Sequence, residues 1–221
     1  MEMIKILDHG YIKLLRVDGS DLDIELAARV SFNNEVDEIT PGFIERLAGN
    51  KHMSPFRHVG ILFKIKLPLS INGQYWKHVI GVSNIQDATA WNQQSNRGKR
   101  KSNEFYYPSP RQVDGKWGQG TIIEEYVDEF KNDFYEAYAN FERLYSKWID
   151  RGVAPANIRE LLPHGAYTTV ISKMSLEAAF HFYELRSDSH AQLEIQEYAK
   201  AIDIICSKYF PIAWNALKSA R

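Results

Sequence analysis

The stretch HVGILFKIKLPLS, residues 58–70, carries the clearest structural pattern in the chain. From residue 61 onward every second position is apolar, at Ile61, Phe63, Ile65 and Leu67. Successive side chains of a β-strand point to opposite faces, so a period of two indicates a strand with one buried face. The sequence therefore predicts a strand whose apolar face packs against the core.

The segments on either side of this strand extend the pattern. Residues 3–21, MIKILDHGYIKLLRVDGSD, also alternate and contain turn signals at 8–10 and 18–19, which predicts a hairpin or two short strands. Residues 20–32 and 40–50 predict two helices, the second with a proline in its first turn.

The second half of the chain is dominated by helical patterns. Apolar residues keep a period near 3.6 from residue 121 to 152, which predicts one long amphipathic helix with Thr121 and Glu124 as a capping box. Shorter helices are predicted over residues 154–162, 175–186, 190–208 and 211–220. Residues 82–120 are the least regular part, and long irregular stretches in compact domains are often functional. The predicted fold class is α+β (α/β), a single domain over residues 1–221 with a small sheet and long helices.

Composition limits the classes of function. The 221 residues are 44% hydrophobic, enough for a substantial core, and the formal net charge is −1. A near-neutral chain has no global positive field, so no nucleic acid is expected as its main partner and any basic site is local.

The cysteine content and the apolar runs point to a reducing compartment. The single cysteine, Cys206, allows no disulfide within the chain. It lies in the apolar pattern AIDIICSKYF, where we expect a small core residue rather than a nucleophile. No apolar run is long enough to cross a bilayer and the N-terminus lacks a signal-peptide core, so we expect a cytoplasmic protein without membrane contact.

The common signatures of catalysis and cofactor binding are absent from the sequence. It contains no G-x-G-x-x-G after a strand, no G-x-x-x-x-G-K-[ST] loop and no G-x-S-x-G elbow. No Cys or His pair has the spacing typical of zinc, and His52 and His58, six residues apart, do not predict a metal site.

Arginines and side-chain amides near the ends of predicted elements remain as candidates for a binding site. They lie, with one serine, at Gln74, Asn92, Gln93, Ser95, Arg97, Arg159 and Arg186. Arginine and hydroxyl groups bind phosphate, and arginine with amides can read the carbonyl and NH groups of a ring. The set suits a phosphorylated, planar, polar ligand, although any one of these arginines alone is better explained by a surface ion pair.

Arg186 lies in the stretch ELRSDSHAQLEIQEYAKAI, where two helices are predicted to meet. One helix is predicted to end near Leu185, and the next to begin near His190, where Ser189 and Gln192 have capping-box spacing. Arg186 is needed for neither helix. Its guanidinium is therefore either a structural clamp or a reader of an anion or a planar polar ring.

Along nearly its whole length the sequence resembles the flavin-dependent thymidylate synthases. The similar blocks are DLDIELAARVSF, HMSPFRHVGILFKIKLPL, EFYYPSP, NIRELLPHGAYTTV and FYELRSDSHAQLEIQEYAKAI, the last almost residue for residue. The resemblance implies an α/β domain that forms a homotetramer with shared active sites. It also implies synthesis of dTMP from dUMP, with 5,10-methylenetetrahydrofolate as carbon donor, NADPH as reductant and FAD as the carrier of hydride. No cysteine nucleophile is needed.

The resemblance also implies two groups of site residues. Nucleotide contacts fall on Gln74, Lys77, Gln93, Gln94, Ser95, Arg97, Arg159 and Arg186. Flavin contacts fall on His52, Ser54, Lys77, His78, Val79, Asn92, Gln93, Ser175, Glu177 and His181. Arg186 is implied as the catalytic residue that stabilises the deprotonated N3 side of the uracil, because a fixed guanidinium favours an anionic ring with a nucleophilic C5.

The flavin side departs from the family pattern. The family's R-H-R reads Lys77-His78-Val79, its glutamate reads Gln93, and its N-x-R ends at Glu177, which reverses a charge. An insertion within IGVSNIQDATAW separates this block from NQQSNR. As a hypothesis, the basic run KRK at residues 99–101 replaces lost positive charge near the flavin pyrophosphate.

Two alternatives to dUMP methylation stay open at this point. The altered NQQSNRG loop is compatible with a UMP methylase or a pyrimidine-nucleotide hydroxymethylase of the same fold, in nucleoside-antibiotic or modified-base synthesis. A non-catalytic RNA-binding relative would use the basic run NRGKRK with Phe105, Tyr106 and Tyr107, since basic residues beside aromatics bind single strands.

Overall fold

The computed structural model describes residues 2–30, 37–77, 91–95, 104–115 and 118–221. The strands are β1 (Met3–Ile6), β2 (Gly10–Asp18), β3 (Gly60–Pro68), β4 (Trp91–Gln93), β5 (Arg111–Asp114), β6 (Gly118–Ile122) and β7 (Tyr167–Ser175). The helices are α1 (Asp21–Arg29), α2 (Pro41–Gly49), α3 (Leu69–Trp76), α4 (Val127–Asp150), α5 (Pro155–Ile158), α6 (Leu176–Arg186), α7 (Leu193–Tyr209) and α8 (Pro211–Ser219). Short 3-10 segments span Ser54–Arg57, Glu124–Tyr126 and Arg159–Leu161.

A five-stranded antiparallel sheet in the order β1-β2-β3-β7-β4 forms the centre of the fold. β3 is the middle strand, and its four alternating apolar side chains are fully buried, as predicted. The predicted hairpin is formed by β1 and β2. A bulge between Leu14 and Arg16 shifts the register of β2 by one residue, so Arg16 stays on the exposed face.

β7 is a strand that the sequence pattern did not predict. It pairs with β3 over nine residues, from Tyr167 opposite Pro68 to Ser175 opposite Gly60. The positions that face the core are Thr168, Val170, Ser172 and Met174, and all four are buried. Two of them are polar, which obscures the period of two in the sequence. The β-branched run at residues 168–171 favours a strand, and pairing with β3 fixes its register.

Helices cover one face of the sheet. α3, α6 and α7 contact the strands, while α2 and α8 pack behind them. Phe182, Tyr198 and Trp214 are the largest fully buried side chains of α6, α7 and α8, respectively. Cys206 is fully buried here, and burial raises the pKa of its thiol well above the usual value, which confirms its role as a core residue.

The long helix α4 begins later than predicted. Thr121 lies in β6 and Glu124 opens a 3-10 segment, so the predicted capping box does not form and the helix starts at Val127. α4 packs on a small separate apolar cluster of Phe105, Tyr138, Phe141, Tyr145, Ile158 and Ala166. None of the helices in the described ranges has the length and apolar character needed to cross a membrane.

Asp21 joins the first helix to the last one. Its carboxylate accepts hydrogen bonds from the backbone N–H groups of Ile212, at 2.9 Å, and Ala213, at 3.0 Å. These groups lie in the first turn of α8, so Asp21 caps that helix from a distant part of the chain. Burial raises the pKa of Asp21.

The substitution Asp21→Ala is expected to lower the free energy of unfolding by about 1–2 kcal/mol, because two N–H groups at the start of α8 lose their acceptor. Urea unfolding followed by circular dichroism measures this change. Glu45→Ala, which removes an exposed carboxylate of α2, is the control. Equal effects of the two substitutions would contradict the capping role.

Candidate active site

A cleft of about 480 Å³ lies where the β4 edge of the sheet meets the start of α3. Its lining residues are Leu69, Gln93, Gln94, Ser95, Arg159, Glu160, Leu162 and His164. Four of the predicted nucleotide contacts are among them, although Arg159 lies far along the chain from the other three. The fold therefore brings together Gln93, Ser95 and Arg159, which were candidates by residue type, and Gln94, which the family resemblance added.

Pairing with β7 holds this part of the cleft in place. Gln93 lies opposite Val170, and the backbone N–H of Gln94 donates to the carbonyl oxygen of Thr169 at 2.8 Å. These backbone bonds fix the chain before Ser95, and the residues at 93–95 line the cleft together.

The side chain of Gln93 is held by two polar groups that the sequence did not single out. Gln93 Nε2 donates to Thr168 Oγ1 at 3.2 Å, and Gln93 Oε1 accepts from Asn72 Nδ2 at 3.4 Å. Asn72 is 8% exposed, and among the described residues no donor reaches its Oδ1. A buried acceptor without a donor costs free energy, and such groups occur at functional sites. The available sequence signal was an amide directly after the buried Ile71 in the helix start LSIN.

Arg159 and His164 form the opposite wall of the cleft. Arg159 Nε lies 3.5 Å from Glu160 Oε1, an exposed ion pair of little energetic worth. The carbonyl oxygen of His164 accepts from the backbone N–H of Ser70 at 2.9 Å, which ties this wall to α3. A guanidinium, a hydroxyl and amides are a donor set suited to phosphate. Nothing in the sequence distinguished His164 from the other six histidines.

Arg186 is the last residue of α6, so the helix ends within one residue of the predicted end near Leu185. The following turn is organised by Asp188, whose carboxylate accepts from the backbone N–H of His190 at 2.8 Å. α7 begins at Leu193 instead of near His190, and its N-cap Gln192 makes no side-chain capping bond. The predicted Ser189–Gln192 capping box is therefore wrong, because the turn is stabilised by a different acceptor.

α3 connects the cleft with the end of α6. Gln74 Nε2 donates to Gln192 Oε1 at 2.6 Å, and the rings of Tyr75 and Phe182 are 4.9 Å apart. At 1.5 Å of rise per residue, Gln74 lies about 8 Å along the helix axis from the start of α3 at the cleft. Gln74 therefore lies near the end of α3. Arg186 lies at the neighbouring end of α6, one turn beyond Phe182.

Four of the predicted flavin contacts, His52, Ser54, Ser175 and Glu177, lie at the other end of the sheet, whereas Asn92 and Gln93 lie in β4 beside or within the cleft. The 3-10 segment Ser54–Arg57, which follows His52, contacts α6, and Ser175 caps that helix by accepting from the N–H of Ala178 at 3.1 Å. At about 3.4 Å per residue, the six residues from Thr169 to Ser175 span about 20 Å. Within one chain, the cleft and the group His52, Ser54, Ser175 and Glu177 therefore lie at opposite ends of β7.

The reversed charge at Glu177 is paired with an arginine that the sequence did not single out. Arg57 Nη2 donates to Glu177 Oε1 at 3.0 Å, and Arg57 Nε donates to Glu177 Oε2. The Glu177 side chain is 10% exposed and that of Arg57 is 39% exposed. The surface at the start of α6 therefore presents a guanidinium, with its carboxylate partner beneath it.

The other predicted site residues lie outside the described ranges or are not among the residues that line the cleft. His78, Val79 and Arg97 lie outside the described residues, as does the basic run at 99–101. Lys77 follows α3 and is exposed, Asn92 is exposed on β4, and His181 is partly buried within α6.

The aromatic residues of the RNA-binding alternative belong to packed parts of the protein. Phe105 is 6% exposed and stacks on Tyr138 with ring centroids 4.3 Å apart. The hydroxyl of Tyr106 donates to Glu194 Oε1 at 2.9 Å, and the ring of Tyr107 lies against Tyr138. Engaged rings offer little platform for bases, which weakens that alternative.

Residues 13–212 match the family model of the thymidylate synthase complementing proteins, Thy1. The chain belongs to this family. The flavin-dependent thymidylate synthase of Wolbachia pipientis wMel is 34% identical over 224 residues, covering 96% of this chain and 75% of that protein. That of Thermotoga neapolitana is 34% identical over 216 residues, covering 96% and 93%. This chain is therefore an enzyme of the flavin-dependent thymidylate synthase family, as the resemblance predicted.

Solved structures agree with this assignment. The UMP/dUMP methylase PolB from Streptomyces cacaoi, bound with 5-Br dUMP, is 25% identical and superposes with a TM-score of 0.84 over 98% of this chain and 97% of that chain. The same protein bound with 5-Br UMP gives a TM-score of 0.83. The predicted α+β fold with a small sheet and long helices is confirmed.

Asn72→Leu tests whether the unsatisfied amide serves the cleft. The near-isosteric substitution removes a buried acceptor without a donor, so we expect the melting temperature to rise by a few degrees, about 2–4 °C for about 1 kcal/mol. It also releases Gln93, so affinity for dUMP is expected to fall about tenfold.

Differential scanning calorimetry and calorimetric titration with dUMP measure the two effects. Ser70→Ala, at an exposed position near the start of the same helix, is the control. A loss of stability with unchanged affinity would assign Asn72 to the core alone.

Proposed function

We propose that this enzyme methylates C5 of dUMP to give dTMP, with 5,10-methylenetetrahydrofolate as one-carbon donor, NADPH as reductant and FAD as cofactor. The observation that carries the proposal is the convergence of Gln93, Gln94, Ser95 and Arg159 in one cleft, in a chain of this family. A pyrimidine nucleoside monophosphate is the ligand class that matches both the cleft and the relatives' names.

In this proposal the cleft holds the phosphate end of the nucleotide. Arg159 supplies a charged donor fork and Ser95 a hydroxyl, while Arg97, two residues further on, adds a second guanidinium. Gln93 is fixed by Asn72 and Thr168, so its amide reaches the ligand without a loss of rotamer freedom on binding.

Arg186 acts on the pyrimidine ring. Its guanidinium carries a positive charge, so it favours the anionic form of uracil that makes C5 nucleophilic. Gln74 is oriented by its hydrogen bond to Gln192 and presents its amide beside this end of α6. The ring is thereby held between a fixed charge and a fixed amide.

The residues at the start of α6 fit a flavin dinucleotide. The exposed guanidinium of Arg57 and the side chains of His52 and Ser54 offer donors to an anionic pyrophosphate, and the carboxylate of Glu177 is neutralised by its pair with Arg57. Bound FAD, once reduced by NADPH, supplies the hydride that completes the methyl group. The chain's own part is to hold and orient it through these side chains.

The separation of the two residue groups supports a homotetramer with shared active sites. About 20 Å of β7 lies between the cleft and the start of α6, so a nucleotide and a flavin in contact would need groups from different copies. We also propose that the protein is located in the cytoplasm, a reducing compartment in which Cys206 stays a free thiol.

A second candidate substrate is UMP. PolB, whose fold this chain shares with a TM-score of 0.84, is named as a UMP/dUMP methylase. The family's glutamate is Gln93 in this chain, so a charged acceptor in the cleft is replaced by a neutral amide. An amide can donate as well as accept a hydrogen bond, and this changes the partners available to a ribose hydroxyl.

Product analysis decides the reaction and tests Arg186. We expect purified enzyme with FAD, NADPH and the folate to add one CH2 unit to dUMP, read by mass spectrometry, with UMP and dCMP as competing substrates. A gain of CH2O would identify hydroxymethylation instead.

Arg186→Gln is expected to lower kcat about 100-fold or more, because a preorganised charge at the developing anion is lost.

Arg186→Lys is the matched control, since it keeps the charge but not the planar fork, and we expect it to retain part of the activity. An Arg186→Gln enzyme with undiminished kcat would remove Arg186 from the mechanism.

The contact between Arg57 and Glu177 can be tested by removing the arginine and by exchanging the two charges. Arg57→Gln is expected to weaken FAD binding about tenfold, because the solvent-facing guanidinium is lost. The double variant Arg57→Glu with Glu177→Arg restores the family's charge at residue 177 and is expected to recover affinity. Flavin fluorescence titration measures binding without turnover.

Thermal unfolding of the same variants separates folding from binding. Variants that lose stability while binding FAD as tightly as the parent would show that the pair is only structural.

A further inference from the structure

The start of α7 is held by three distant segments of the chain. Gln192, the residue before the helix, accepts through its Oε1 from Gln74 Nε2 of α3 at 2.6 Å. The backbone N–H of the next residue donates to Gln119 Oε1 of β6 at 3.1 Å. Glu194 Oε1 accepts from the hydroxyl of Tyr106 at 2.9 Å. Three consecutive residues thus each contact a different part of the fold, and one of these contacts reaches the proposed nucleotide residue Gln74.

Gln192 is firmly attached to the first turn of α7. Its carbonyl oxygen accepts from the backbone N–H groups of Ile195, at 3.1 Å, and Gln196, at 3.2 Å. The side chain of Gln196 donates in turn to the carbonyl oxygen of Ala191 at 2.8 Å. Because the backbone on both sides of Gln192 is tied to the helix, a shift of the first turn moves Gln192 as well. The acceptor that orients Gln74 would move with it.

The carboxylate of Glu194 depends on Tyr106 for its hydrogen bonding. Glu194 is 6% exposed, and among the described residues no donor reaches its Oε2. Burial, together with the Glu194 carboxylate, raises the pKa of the Tyr106 hydroxyl, which therefore remains a donor at neutral pH. A buried charged acceptor that loses its donor costs more free energy than a neutral one. Without the hydroxyl, the first turn of α7 would have to shift to bring Glu194 to water.

Tyr106 is itself fixed by the segment that leads into β7. Its backbone N–H donates to the carbonyl oxygen of Gly165 at 2.9 Å, and its own carbonyl oxygen accepts from the hydroxyl of Tyr138 at 2.9 Å. His164, directly before Gly165, lines the cleft. The Tyr106 hydroxyl therefore links the wall of the cleft to the start of α7 through a backbone that is bonded on both sides.

We propose that Tyr106 is a positioning residue for nucleotide binding, which acts through Glu194 and Gln192 on the side-chain amide of Gln74. This inference rests on the proposed function, in which Gln74 lies against the pyrimidine ring. Gln74 Nε2 is directed at Gln192, so the Oε1 and the second N–H of the amide are the groups left for the ring. A shift of Gln192 would let this amide rotate, and a rotated amide exchanges acceptor and donor at the ligand. Tyr106 can thus set the affinity for the nucleotide without touching it.

The test is a double-mutant cycle between Tyr106 and Gln74. Tyr106→Phe removes one hydroxyl and is expected to weaken dUMP binding to the FAD-loaded enzyme about fivefold, measured by calorimetric titration. In a Gln74→Ala background the same substitution is expected to change dUMP affinity by less than about twofold, because the group through which it acts is gone. Tyr107→Phe, which deletes a hydroxyl at the next residue, is the control and should bind dUMP as the parent does.

Melting temperatures show whether each variant is folded under the conditions of the titration. Glu194→Leu is the second variant, because it breaks the same link without leaving an unpaired charge in the interior, and we expect the same dependence on Gln74.

Unchanged dUMP affinity in Tyr106→Phe, or an equal loss with and without Gln74, would overturn the inference and leave Tyr106 a purely structural role. So would unchanged affinity in Gln74→Ala alone. Methylation of dUMP by the parent enzyme in any of these cases leaves the proposed function standing, whereas absence of methylation by the parent overturns both.

Discussion

The pairing of β7 with both of its neighbours is the constraint on which the rest of this structure depends. Its pairing with β3 completes the middle of the sheet, and its pairing with β4 holds residues 93–95 against the cleft. Its last residue, Ser175, caps α6, so the same strand sets where that helix begins and where Arg186 ends it. One strand thus positions the cleft at one end and the Arg57–Glu177 pair at the other.

Predictability from sequence followed the strength of the local pattern. β3 was predictable because its alternating residues are strongly apolar and Lys64 and Lys66 separate three of them. β7 was not, because Thr168 and Ser172 occupy core-facing positions and are tolerated there through contacts made only in the folded sheet. The two capping boxes failed for a related reason. Matching spacing does not form a cap when the backbone at that position is already paired, as at Thr121 in β6, or when a neighbour such as Asp188 supplies the acceptor.

In the candidate site, too, some residues were predictable from the sequence and others were not. Gln93, Ser95 and Arg159 were candidates by residue type, the family resemblance added Gln94, and the fold brings the four together. Asn72 and Arg57 were not named, because the importance of each depends on a partner from a distant part of the chain: Gln93 for Asn72 and Glu177 for Arg57. A single sequence shows that a position has changed from arginine to glutamate, but it does not show which residue has taken over the opposite charge.

The net charge of the chain does not show how its charged residues are distributed over the fold. The formal charge of −1 correctly argued against a global positive field, yet it averages the lysine-rich exposed face of the sheet with the acidic segment 124–150, which has eight acidic and three basic side chains. Electrostatic interactions between exposed groups are screened beyond about 8–10 Å at physiological salt. The local balance of charge within the Debye length is therefore the physically relevant quantity, and it differs between the sheet, where Lys13 lies opposite Lys64, and the acidic helix α4.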